Sequence, residues 1–60
     1  MKTSELLKLL KQNGIKFVEH GKRHDIYRSP ITGESFPVPR HKGEIAKGTL
    51  GSILKSAGLK

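Results

Sequence analysis

Ile15-Lys16-Phe17-Val18-Glu19-His20-Gly21-Lys22-Arg23-His24-Asp25-Ile26-Tyr27-Arg28 is the stretch whose reading decides the fold. Ile15, Phe17 and Glu19 alternate with Lys16, Val18 and His20, a period of two with β-branched and aromatic content that predicts a strand. Gly21-Lys22-Arg23 then reads as a short basic turn. From His24 to Arg28 a second strand is expected, with His24, Ile26 and Arg28 on one face and Asp25 and Tyr27 on the other. So short a connection makes the pair antiparallel.

Upstream, Thr3 to Asn13 has helical period: Leu6, Leu9 and Leu10 recur at i, i+3, i+4, and Leu7 widens the stripe. Thr3 or Ser4 is placed to cap its start and Glu5 favours the first turn. Asn13-Gly14 is the expected stop. Downstream, Ser29-Pro30-Ile31-Thr32-Gly33-Glu34 is punctuated as a hairpin loop turning at Thr32-Gly33. Phe36 and Val38 share one face of a third strand. Pro37 and Pro39 cannot donate ladder hydrogen bonds, so that strand belongs at an edge or is irregular. A loop over Arg40 to Gly48 leads to a second helix capped by Thr49, with Leu50, Ile53, Leu54 and Ala57 on one stripe and Gly58 as its end. Helix, three antiparallel strands and helix, both helices stacked on one sheet face, make an α+β two-layer sandwich.

Sixty residues are one small domain, 1–60. A chain of that length buries only about 60% of the surface its unfolded form exposes. With no cysteine, neither disulfides nor thiolate metal sites can assist, and only Phe17, Phe36 and Tyr27 supply aromatic bulk. No apolar run approaches the roughly 18 residues that span a bilayer. The first helix is too short and lacks Trp, which argues against a membrane-surface anchor. The expectation is a soluble, cytosolic protein without a membrane partner. Twelve Lys and Arg against five Asp and Glu leave a net charge of +7. That excess favours polyanions, which release condensed counterions on binding.

The residue types narrow the chemistry. The five acids are scattered, each most simply a solvated charge, and none forms a pair with two-metal or glycosidase spacing. Gly43, Gly48 and Gly51 do not compose a phosphate-binding loop, and no serine sits in a nucleophile elbow. His20 and His24 would have metal-ligand spacing only on a helix, which Gly21 and the flanking strand patterns oppose. No metal and no cofactor are expected. Histidine can instead move protons near neutral pH. RNA carries its own nucleophile, the 2′-hydroxyl, so a histidine among cations meets most of the needs of its cleavage. Lys22, Arg23 and Arg28 surround His24 in the sequence, while Arg40 and Lys42 flank His41. Pairing of the third strand with the second would align both clusters on one RNA-facing surface. The alternative is that His24 is an ordinary strand residue within a basic patch, and the chain a non-catalytic RNA-binding module.

Leu-Leu-Lys-Gln-Asn-Gly-Ile, Gly21-Lys22-Arg23-His24 with Ile26-Tyr27-Arg28, Val38-Pro39-Arg40-His41-Lys42-Gly43, Gly48-Thr49-Leu50-Gly51-Ser52-Ile53-Leu54-Lys55 and Ala57-Gly58, in this order, resemble the HicA family of toxin mRNA interferases. The resemblance spans nearly the whole chain. It implies a double-stranded-RNA-binding-domain-like α-β-β-β-α fold and metal-independent cleavage of mRNA that blocks translation. It also implies neutralisation by a HicB antitoxin, in assemblies that can be of higher order. The family's essential histidine matches His24, and His41 is taken as an RNA-positioning or loop residue. Where the family's turn has a Ser after its glycine, this chain has Lys22 and Arg23, which adds charge where the phosphate would be held. Shared fold alone does not transfer the shape-reading function of double-stranded-RNA-binding domains.

Overall fold

A computed structural model describes residues 1–40 and 43–60. The elements are α1 (Thr3–Gln12), β1 (Lys16–His20), β2 (His24–Arg28), β3 (Ser35–Pro39) and α2 (Lys47–Ala57), in the expected α-β-β-β-α order. The strands form one antiparallel sheet in the order β1-β2-β3. This is the topology of double-stranded-RNA-binding-like folds.

Leu6 and Leu10 of α1, Phe36 and Val38 of β3, and Ile53 and Ala57 of α2 are buried together with Ile15 and Ile45. Both leucine-rich stripes therefore reach one sheet face, as their spacing requires. The start of α1 differs from expectation. Lys2, not Thr3 or Ser4, occupies the cap position, and the Glu5 carboxylate accepts the Lys2 N–H at 2.9 Å. The chain ahead of α1 is tied down non-locally: Ile45 donates its N–H to Met1 O, and the terminal ammonium meets Glu44 at 2.8 Å. Ile45, expected within a loop, is thus a core residue, and α2 begins at Lys47 with Ala46 at its cap. Thr49 lies inside the helix and does not cap it.

Gly58 ends α2 as expected, at φ +81°. Its N–H bonds Lys55 O and that of Leu59 bonds Leu54 O, the paired bonds of a Schellman close. Two hydroxyls of the β2–β3 loop occupy further carbonyls that a helix end leaves open. Ser29 Oγ, fully buried, donates to Ala57 O at 2.6 Å, and Thr32 Oγ1 donates to Ser56 O at 2.7 Å. The loop turns at Gly33, φ +74°, as its Thr-Gly pair predicts.

The strict alternation expected of β1 fails at Val18. Phe17 pairs with Tyr27 but Glu19 pairs with Ile26, so Val18 is an inserted residue, a bulge. The insertion reverses the facing of Glu19 and His20 relative to simple alternation. Phe17 and His20 consequently share a face, with ring centroids 4.7 Å apart.

β3 lies at the sheet edge, as its prolines require. The bonds Ser29 N–H to Glu34 O and Arg40 N–H to Arg23 O fix the ladder phase. Phe36 and Val38 are in phase with these and turn their amides to β2, so Pro37 and Pro39 turn theirs outward. The missing N–H groups cost no ladder bond, and the outer edge has few donors for another strand. On the opposite edge, the bulge breaks the two-residue repeat that strand addition needs. Among the described residues, no helix is long and apolar enough to cross a membrane.

Candidate nucleic-acid interface

The β1–β2 turn is built around Gly21. Its N–H donates to His24 O at 2.7 Å, and a Cβ at position 21 would lie 2.8 Å from that same oxygen. Only glycine lets the chain close so tightly, leaving Lys22 and Arg23 at the tip. Both are exposed and have no ion pair among the described residues.

His24 opens β2 opposite Pro39, on the sheet face away from the helices. It is exposed, and among the described residues its ring has no hydrogen-bond or ionic partner. Arg28 shares this face at the far end of the strand, opposite Lys16 and Ser35. Four strand steps separate the two residues by about 13 Å. Arg28 thus stands on the expected surface but not beside His24.

Arg40 has a different setting from the one the sequence suggests. Its Nη2 donates to Gly21 O at 2.8 Å and to Lys22 O at 2.7 Å. Its Nε lies 3.6 Å from Asp25 Oδ1, which also meets His20 Nδ1 at 2.7 Å. Arg40 therefore bolts the basic turn to the end of β3. Asp25, expected as a solvated charge, has a side chain only 16% exposed and joins the two cross-strand neighbours. No motif or charge cluster in the sequence marks His20 and Asp25 as a pair. Their positions, equidistant from the centre of the Gly21–His24 turn, are the signal that could have found them. The expected RNA-contact residues His41 and Lys42 lie outside the described residues.

His20 and His24 project to opposite faces of the hairpin and do not converge on one ion. Tyr27 is on the His20 side, edge-on to Phe17 at 5.8 Å. Burial, and then the Asp25 charge, push its phenol above the usual value, so it keeps its proton at neutral pH. Three of the five acids are engaged within the fold, Glu5 at a helix start, Glu44 on the N-terminus and Asp25 at the hairpin. The cations of the turn are left without counter-charge among the described residues.

The Arg40 geometry makes a distinct prediction. Arg40→Ala should lower the melting midpoint by about 4–8 °C, equivalent to ~1 kcal/mol for partly exposed charge-assisted bonds in so small a fold. Amide exchange at Lys22 and Arg23 should accelerate with it. A residue serving only to hold phosphate would leave both unchanged.

A basic α-β-β-β-α protein with an exposed histidine beside a glycine-closed cationic turn defines a class of small two-layer domains with a cationic hairpin tip. The profile described as HicA toxin of bacterial toxin-antitoxin matches residues 3–59. The chain belongs to the HicA toxin family, and is the toxin member of a pair whose other member is an antitoxin. Comparison with curated proteins and with solved structures gave no significant match.

Proposed function

We propose that this toxin is a metal-independent endoribonuclease that cleaves mRNA in the cytoplasm and so blocks translation. The observation that carries the reading is His24, an exposed imidazole with no partner among the described residues, next to the cations of the tight Gly21 turn. In this scheme the RNA 2′-hydroxyl attacks its neighbouring phosphorus and the bond to the 5′-oxygen breaks. His24 either takes the 2′ proton, with water protonating the leaving 5′-oxygen, or protonates that oxygen while water takes the 2′ proton. Lys22 and Arg23 stabilise the charge gathering on the phosphoryl oxygens. Arg40 acts through the turn it holds. His41 and Lys42 are proposed, from the family resemblance, to extend the RNA contacts, and residues 1–60 to act as one domain.

A HicB-type antitoxin is proposed to neutralise the toxin by covering the His24 face. The fold's small core makes some stabilisation by such a partner natural, since anything that binds only the folded chain stabilises it.

The test is incubation of purified, folded toxin with end-labelled single-stranded RNA in EDTA. Products with 5′-hydroxyl and 2′,3′-cyclic phosphate ends are expected. A gel shift without cut products would instead make the chain a non-catalytic RNA-binding module.

A further inference from the structure

We propose that a basin on the outer sheet face, between the start of β1 and the end of β2, is a subsite for a nucleotide farther along the RNA than the scissile phosphate. The inference rests on the proposed ribonuclease function and assigns a substrate contact to a pair of residues that the scheme does not use.

Lys16 stands directly opposite Arg28 in the β1–β2 register. Cross-strand partners of this kind have Cα atoms about 5 Å apart, so the two cationic side chains leave the sheet side by side. Like charges placed directly opposite one another destabilise a sheet. Neither residue has an ion pair among the described residues, so nothing there offsets the repulsion. A cationic pair kept uncompensated calls for an anion from outside.

The ground beside the pair has the shape for one. Lys16 and Arg28 line an open basin of about 460 Å³ whose other walls include Val18, Pro30, Gly14 and Gly33. Val18 is the bulge residue, 51% exposed despite being aliphatic. Two cations over an apolar, glycine-flattened floor suit a phosphodiester held by the charges with the face of a base against Val18 and Pro30. Arg28 also shares its strand face with His24, with Ile26 and Pro37 between them. A single RNA strand laid along β2 would pass from one to the other. Because they are about 13 Å apart along the strand, the basin holds a nucleotide farther along the RNA and not the reacting phosphate. An acidic protein segment would meet the charges but has no need of a flat floor in line with His24.

The test uses full-length His24→Ala protein, which binds without turnover, and a labelled single-stranded RNA oligonucleotide. Lys16→Gln and Arg28→Gln should each weaken binding roughly tenfold, as expected for loss of a hydrogen bond to a charged group. The double variant should lose little more, because both side chains serve one phosphate. Its salt slope should fall by about 0.7, the value for one phosphate of a single strand. Each variant should also melt about 1–4 °C higher, since the repulsion is relieved. That rise shows that weaker binding is not unfolding. Losses that add, with a slope change of about 1.4, would overturn the shared phosphate. Unchanged affinity in a chain that does bind RNA would overturn the subsite alone. Failure of both native and His24→Ala protein to bind RNA would overturn the subsite and the ribonuclease function together. Loss of antitoxin binding without loss of RNA binding would assign the basin to the protein partner instead.

Discussion

His24→Ala is expected to reduce RNA cleavage by a factor of about 100 or more, the range that a positioned acid or base supplies. RNA affinity should change by less than roughly threefold, because the cations that carry counterion release are all retained. The expectation rests on how little else the imidazole does. Its ring is exposed and, among the described residues, bonds nothing, so removing it breaks no contact seen there. The backbone oxygen that closes the Gly21 turn belongs to residue 24 whatever its side chain. Thermal stability should therefore stay within about 0.5 kcal/mol of the native value, as for ordinary surface substitutions. The pH dependence of the native rate assigns the role. Activity lost toward acid identifies a base, and activity lost toward alkali identifies an acid. Equal cleavage by both proteins would remove His24 from the chemistry, while equal losses of binding and cleavage would make it a binding residue.

Gly58→Ala should be the most damaging single-methyl change in the chain. Two independent penalties meet at this position. The backbone has φ +81°, which costs a residue with a Cβ roughly 1 kcal/mol. An added Cβ would also stand 2.7 Å from Ile31 Cγ2 and 3.0 Å from Thr32 Cγ2. Neither side chain can withdraw freely, because Ser29 and Thr32 fasten this loop to the last carbonyls of α2. A total of about 2–4 kcal/mol is expected once overpacking is included. For a fold of this size that is a large share of the whole stability and should lower the melting midpoint by at least about 10 °C. Ile31→Ala in the same chain should recover the part of the steric cost due to Ile31 Cγ2, leaving the close approaches to Thr32 Cγ2 and to the Cβ of residue 31 together with the backbone part. Full recovery would mean that the left-handed conformation carries no penalty here.

The architecture was legible because each element has its own period and punctuation. Leucines at helical spacing, Asn13-Gly14, Thr32-Gly33 and Gly58 all lie where local chemistry alone predicts them. The two prolines of β3 even announced its place at the edge. What escaped was non-local. Ile45 is a single aliphatic residue among polar ones, and only its docking beside Met1 and the core makes it the anchor from which α2 starts. The Val18 bulge leaves no mark in a five-residue strand, since Phe17 and His20 each suit either face. The Asp25 contacts with His20 and Arg40 exist only after the hairpin has closed and β3 has paired. In the candidate site, His24 and its basic turn could be read from composition and resemblance. Arg40's attachment to the turn carbonyls, and the alignment of Lys16 with Arg28, depend on register.

The closed edges of the sheet bear on how such a toxin behaves once its antitoxin is gone. Outward prolines on one side and a bulge on the other deny a second copy the regular template it would need for stacking. Among the described residues, neither edge of the sheet offers a freed molecule a regular strand template for pairing with a second copy. An inhibitor that would add itself as a further strand finds no regular edge on either side of the sheet, so its contacts fall to the faces and loops.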